Sequence, residues 1–326
     1  MINTKAIKNR IQSVTNTKKI TKAMEMVSAS KMRKSVEAVL NTRTYATMTR
    51  DLMINLSGVE NRAKYALLTV RPVKNILLII ISSNRGLCGS FNANIARKAI
   101  VALKNKKELA KHFENGKEIL PDGEVNVKIL GIGKKSASVA KREGHELVGM
   151  FEDINGITDF DKIVSISKDV IRDFKESKYD KVVVAYTDYK SSLTQEPKIR
   201  QLLPVSAYEL DKMLDELGRD SKSVSGQAKE GVKDSTNLFD ASSYIFEPNQ
   251  DEILEYVLPK LVEVQMLQSV LESSASEHSS RMMAMRNASD AARDMIDELN
   301  LTFNKARQAS ITQEIAEIAG GAAALE

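Results

Sequence analysis

Residues 1–57 contain neither glycine nor proline, and residues 232–319 contain no glycine and only two prolines, Pro248 and Pro259. Glycine and proline are the strongest breakers of regular structure, so the stretches nearly free of them at the two ends of the chain are expected to be long helices. At 1.5 Å per residue, a helix over 1–57 would be about 85 Å long and one over 253–319 about 100 Å. Neither fits inside a compact globule of 326 residues. Thirteen of the fifteen glycines fall between these segments, so the middle of the chain is where a globular domain must lie. Aromatics make up 5% of the residues and tryptophan is absent, a composition poor for a large β-sandwich and good for long helices.

The C-terminal segment carries a heptad. Leu271, Ala275, His278, Met282, Met285, Ser289, Ala292, Ile296, Leu299, Phe303, Ala306, Ser310 and Gln313 alternate at spacings of four and three, the pattern of a left-handed coiled coil. Ala, Ser and Met stand where Leu and Ile would give the strongest seam. Small residues let a partner helix approach closely and Met packs adaptably. The N-terminal segment offers a less regular stripe: Ile7, Ile11, Val14, Ile20, Met24, Val27, Met32, Val36, Val39, Leu52 and Leu56. Pairing the two ends of one chain buries both stripes, and because a domain closes the loop between them the pair is expected to be antiparallel.

Between the helices, Ile76–Ser82 is a short apolar run of buried-strand type. It leads through Asn84–Gly89 into a helical pattern over 92–113. Val125–Leu130 and Lys181–Asp188 read as further strands, Ser136–Arg142 and Phe160–Lys175 as helices. Lys198–Pro204 reads as an edge strand, since Pro204 cannot sit in a central one. Strand and helix patterns alternate, which predicts a small α/β (Rossmann-like) domain with a largely parallel sheet. The expected fold class is therefore α/β plus a long antiparallel coiled coil. Its parts are a helix over 1–57, an α/β domain over 74–208, a polar loop over 209–250 and a helix over 251–326. Residues 104–123 read as a second polar excursion.

The chemistry of catalysis is missing from these motifs. There is no G-x-x-x-x-G-K-[ST] phosphate loop. Gly131-Ile132-Gly133 lacks the third glycine of a dinucleotide fingerprint, and Asn84–Gly89 reads as a tight strand-to-helix turn with Ser90 or Asn92 as N-cap. Cys88, the single cysteine, has no evident base beside it and reads as a packed turn residue; an internal disulfide is excluded. His278 lies on the heptad seam, and the three histidines show no metal-ligand spacing. No catalytic residue, cofactor or metal site is expected. No apolar run reaches the roughly 18 residues of a membrane span. The start of the chain shows no signal-peptide pattern, from which a soluble, reducing compartment is expected.

Charge is divided unevenly. Residues 1–57 hold eleven Lys or Arg against Glu25, Glu37 and Asp51, while the remainder holds 37 bases against 40 acids. A basic helix seeks an anionic partner: nucleic acid, lipid or an acidic protein surface. Tyr45 is the only aromatic in the segment, so a stacking platform for single strands is absent. From the residues alone, a coiled-coil scaffold of a membrane-associated complex and a basic nucleic-acid-binding protein both stay open beside a basic collar that faces an acidic protein loop.

Asn16-Thr17-Lys18-Lys19-Ile20-Thr21-Lys22-Ala23-Met24-Glu25-Met26-Val27, with Ser30-Lys31-Met32-Arg33, resembles the N-terminal signature of the gamma subunit family of rotary ATP synthases. Ser276-Glu277-His278 with Arg281-Met282 and Ala284-Met285, and Phe303-Asn304-Lys305-Ala306-Arg307-Gln308-Ala309-Ser310-Ile311-Thr312-Gln313-Glu314-Ile315, resemble that family's C-terminal helix, and Ser83–Gly89 its central turn. Asn84 stands where the family usually has Asp, and 104–123 and 209–250 look longer than in typical members. The chloroplast-type pair of regulatory cysteines is absent.

The resemblance implies a non-catalytic central stalk. An antiparallel coiled coil would turn inside a hexamer of three alpha and three beta subunits. The α/β domain would hold the epsilon subunit and a membrane ring of proteolipid c subunits, driven by proton or sodium flow. It implies that Arg307, Gln308, Thr312 and Glu314 lie near the hexamer loops that grip the shaft, and that Lys18, Lys19, Lys22, Met24 and Arg281 lie near acidic loops of the catalytic subunits. It further implies a peripheral position on the cytoplasmic side of a bacterial inner membrane.

Overall fold

The computed structural model describes the chain except residues 1–3, 57–63, 115–116, 120, 122, 155–157, 206–249 and 324–326. The described elements, in order, are α1 (Thr4–Leu56), β1 (Asn75–Ile81), α2 (Phe91–Lys104), α3 (Lys106–Ala110), β2 (His112–Glu114), β3 (Lys117–Ile119), β4 (Asn126–Ile132), α4 (Ser136–Glu143), β5 (Leu147–Phe151), α5 (Phe160–Lys175), β6 (Lys181–Tyr189), β7 (Gln195–Leu203) and α6 (Gln250–Ala323). The two breaker-poor segments are single helices of 53 and 74 residues, and Pro259 is accommodated inside the second. They divide between two compact units. One joins residues 1–30 to 281–326, and the other holds 31–280.

In the larger unit five strands form a sheet in the order β5-β4-β1-β6-β7. β1 pairs in parallel with β4 and with β6, β4 pairs in parallel with β5, and β7 runs antiparallel to β6 at the edge. Alternate residues of β1 serve two cores, as strand geometry requires. Ile76, Leu78 and Ile80 pack with Ile95, Ala99 and Leu103 of α2 and with Val139 and Ala140 of α4. Leu77, Ile79 and Ile81 pack with Ile163, Ile166, Val170 and Phe174 of α5 and with Leu258, Leu261, Val262 and Met266 of α6. Both faces of the central strands are covered, which is why β1 and β6 read as continuous apolar runs rather than alternating ones. The first part of α6 thus belongs to the domain's own core and takes the place of a second covering helix on that face.

The edge-strand expectation for β7 holds, with Pro197 within it and Pro204 just past its end. Three elements depart from the sequence reading. The helical pattern expected over 92–113 is two helices, because Asn105 leaves helical geometry at φ −103°, ψ 55°. The excursion at 104–123 contains the short hairpin β2–β3. β5, Leu147-Val148-Gly149-Met150-Phe151, has no sequence-level counterpart, since five residues around a glycine give no clear period. The polar loop expected over 209–250 lies outside the described residues apart from Gln250, which begins α6.

In the smaller unit the hydroxyls of Thr21 and Ser289 lie 2.7 Å apart and share a buried hydrogen bond. Met285, Ser289 and Ala292 of the expected heptad are buried. The α1 stripe needs correction. Ile20 and Val27 are 60% and 57% exposed. The half-buried and buried positions instead run Ile7, Ile11, Val14, Lys18, Thr21, Glu25 and Ser28. That is an unbroken four-three repeat: Ile7, Ile11 and Val14 lie where the stripe places them, and from there Thr21, Glu25 and Ser28 stand one place past Ile20, Met24 and Val27. Close approach selects small hydroxyl residues at the seam, so hydrophobicity alone points at the wrong face.

Candidate functional site

The turn after β1 sits at the carboxyl ends of the parallel strands, where α/β domains usually bind ligands. Its interior is a closed polar network. Asn92 Oδ1 accepts from Ser83 N at 3.1 Å, and Asn92 Nδ2 donates to Ser83 Oγ at 2.7 Å and to Cys88 Sγ at 3.1 Å. Ser83 Oγ donates to Arg85 O at 2.7 Å. Leu87 and Gly89 both take positive φ to complete the turn. Ser90 is the N-cap by position but makes no side-chain cap bond. Cys88 is buried within this network, the packed turn residue expected of it.

A cavity of about 220 Å³ lies alongside, between the first turns of α2 and α4. Its hydroxyls are turned inward to the backbone. Ser82 Oγ donates to Gly133 O at 3.1 Å, Ser136 Oγ to Gly133 O at 2.6 Å and Ser138 Oγ to Lys135 O at 2.6 Å. The two glycines of Gly131-Ile132-Gly133 serve packing. A Cβ on Gly131 would overlap Ser136 Oγ, and one on Gly133 would overlap the Ser82 carbonyl. The arrangement closes this end of the domain, with its hydroxyls bonded to the backbone.

The residues singled out by the resemblance fall elsewhere. All nine lie in the unit formed by the chain ends. Lys19 and Lys22 are exposed, Lys22 pairing with Glu25 at 2.9 Å. Lys18 and Met24 are half-buried. Arg281 is only 8% exposed, so its charge is spent largely inside the protein. Arg307, Gln308, Thr312 and Glu314 are exposed, with Thr312 Oγ1 donating back to Gln308 O at 2.9 Å. Around them is a set that sequence reasoning passed over. Ile311, Ile315 and Ile318 are exposed at helical spacing, Ile318 to 73%, and Ile20, Met26 and Val27 are exposed on α1. A row of aliphatic side chains at i, i+4 and i+7 left in solvent is a surface made to be covered. Their spacing is legible in the sequence, but the heptad of α6 marks only its inner seam.

The larger unit holds an α/β domain and the smaller one holds helix ends with exposed basic and aliphatic side chains, the surface of a subunit that assembles with partners. A family model described as ATP synthase matches residues 3–325. The ATP synthase gamma chain of Roseiflexus castenholzii is 39% identical over 329 residues, covering 100% of this chain and 99% of that one. Those of Chloroflexus aurantiacus and Legionella pneumophila are 37% and 33% identical, each over 100% of this chain. Among solved structures, the central stalk and c-ring of the Tetrahymena thermophila mitochondrial ATP synthase contains a chain with TM-score 0.55 and 27% identity. The match covers 83% of this chain and 99% of that one. A rotor chain of the Euglena gracilis enzyme shares the fold, with TM-score 0.56 at 19% identity. The chain belongs to the ATP synthase gamma chain family.

Proposed function

We propose that this chain is the central rotary shaft of an ATP synthase, without a catalytic site of its own. The observation that carries the reading is that the family match runs from end to end, through both long helices as well as the α/β domain. Its partners are three alpha and three beta subunits around the paired chain ends, with an epsilon subunit and a ring of c subunits at the α/β domain. No described helix is long and apolar enough to cross a membrane. A peripheral position fits this, and we place it on the cytoplasmic face of a bacterial inner membrane.

The long helices are read as an antiparallel coiled coil. Two hydroxyl pairs support this: Thr21 with Ser289 at 2.7 Å and Ser35 with Ser274 at 3.2 Å, fourteen positions apart on α1 and fifteen on α6 with opposite sense. The shaft works by differential binding. Its faces are chemically unequal, so each orientation has a different interaction free energy with the three catalytic sites, and turning it moves their conformational equilibria. Weak, adaptable contacts suit a surface that must release at every angle. The exposed Ile311, Ile315 and Ile318, and the basic Lys19 and Lys22, are assigned to that contact, together with Lys18, Met24, Arg307, Gln308, Thr312 and Glu314, and with Arg281 behind them, since it is only 8% exposed.

The test is a partner census. The chain is tagged through a flexible linker at Glu326, membranes are solubilised gently, and the copurifying subunits are counted. Three copies each of two nucleotide-binding subunits per copy of this chain, with ATPase activity, are expected. Recovery of the chain alone, from a tag shown not to block assembly, would return the scaffold and nucleic-acid readings. A finer test is Met24→Lys. Forcing an unpaired charge into a desolvated contact costs on the order of 1–3 kcal/mol. The ions pumped per ATP should therefore fall at least about twofold. An unchanged ratio in the assembled variant removes Met24 from the contact.

A further inference from the structure

The far end of the β6–β7 hairpin, residues Thr187–Gln195, grips α6 through hydroxyls rather than through apolar packing. The reason lies in the strand ladder. β1 pairs with β6 only as far as Ile80 opposite Ala185, so Thr187 projects two residues past its neighbour. The backbone of Thr187, a residue only 3% exposed, would therefore be stranded.

Two serines one turn apart on α6 complete it. Ser273 Oγ accepts from Thr187 N at 3.0 Å, and Ser276 Oγ donates to Thr187 O at 3.2 Å. One turn further, Ser279 Oγ donates to Ser192 O at 2.9 Å and Ser280 Oγ donates to Gln195 Oε1 at 3.0 Å. The hairpin is itself braced by the Lys198–Asp188 ion pair at 2.8 Å, with Asp188 buried. On its other flank Tyr189 OH reaches Met32 Sδ of α1 at 4.0 Å.

Apolar contacts are non-directional, so they hold a helix's azimuth only through the fit of its side chains. Hydrogen bonds to a fixed strand end are directional and set one azimuth. We infer that Thr187–Gln195 and Ser273, Ser276, Ser279 and Ser280 form a latch that fixes the rotational setting of α6 against the sheet. Twist passes between the long helix and the α/β domain through this latch. It rests on the rotary-shaft reading and adds to it the residues that carry torque within this unit.

The experiment uses the whole membrane-bound enzyme carrying Ser273→Ala, Ser276→Ala, Ser279→Ala and Ser280→Ala together. ATP hydrolysis and ATP-driven ion uptake into vesicles are measured side by side. Hydrolysis should persist, while ions moved per ATP fall at least about threefold, because the helix slips against a domain that no longer holds its azimuth. A merely structural role would lower thermal stability and leave that ratio alone. If the fourfold variant does not assemble, the half-buried pair Gln195→Ala with Ser280→Ala carries the test and should lower the ratio by a smaller factor. An unchanged ratio in an assembled variant, beside an active unmodified enzyme, overturns the latch alone. An unmodified complex that hydrolyses ATP without moving ions overturns the shaft reading and the latch together.

Discussion

Gly133→Ala is expected to destabilise the α/β unit by about 2–4 kcal/mol, while Gly144→Ala costs about 1 kcal/mol. Both glycines have positive φ, at 89° and 69°, so both substitutions place an L side chain in a left-handed conformation. They differ in what a Cβ would meet. At Gly144, the αL cap of α4, nothing lies within 4 Å. At Gly133 a Cβ would overlap the Ser82 carbonyl oxygen and lie 2.8 Å from its carbon. The backbone cannot simply withdraw. Ser82 N donates to Ile132 O at 2.8 Å and Gly133 N donates to Phe151 O at 2.8 Å, so this point ties together the ends of β1, β4 and β5. Denaturant unfolding of the purified variants separates the two terms, because Gly144→Ala reports backbone strain alone. Equal losses at the two positions would show that β1 and β4 can part without penalty.

That pair also shows what was readable beforehand. The absence of glycine and proline over 1–57, together with its apolar spacing, pointed to α1, because no breaker interrupts the helical pattern there. β1, β6 and α5 were legible because burial on both faces, or on one clean stripe, writes itself into the period of the apolar residues. α5 was located to the residue, Phe160–Lys175. The purpose of Gly131 and Gly133 was not legible. The sequence reading weighed them against a cofactor fingerprint, whereas they make room for Ser136 and Ser82, contacts 5 and 51 positions away that no local pattern encodes. The same limit hid Ser273 and Ser276, whose meaning depends on where β1 stops pairing with β6. The seam of α1 failed for a different reason. Hydrophobic ranking marks Ile20 and Val27 as inward, yet close helix approach favours Thr21 and Ser28, and the larger aliphatics are left for a partner outside the chain. The candidate contact residues were found by resemblance alone. Their exposure could not be inferred from spacing, and Arg281 shows why, being a charged residue in a polar-looking motif that is nonetheless buried.

Thr21→Cys with Ser289→Cys is expected to form a disulfide on mild oxidation and to leave ATP-driven ion pumping intact. The two hydroxyl oxygens are already 2.7 Å apart, and a sulfur–sulfur bond of about 2.05 Å needs only a small local adjustment. Cys88 does not compete, since it is buried and hydrogen-bonded in the turn after β1. The bond would close a very long loop, and the chain-entropy account gives about 5 kcal/mol of stabilisation to the paired ends as an upper figure. That stabilisation should appear as a raised unfolding midpoint that reductant reverses. The functional outcome follows from geometry. If α1 and α6 turn as one body inside the hexamer, the disulfide crosses no moving boundary and rotation is indifferent to it. If the helices must slide past each other, oxidation stops hydrolysis and pumping together and reductant restores both. Failure to oxidise at all would refute the pairing of the helix ends. Smooth oxidation with full pumping would show that the slip-sensitive points of the shaft lie at its contacts with other parts, and not along its own seam.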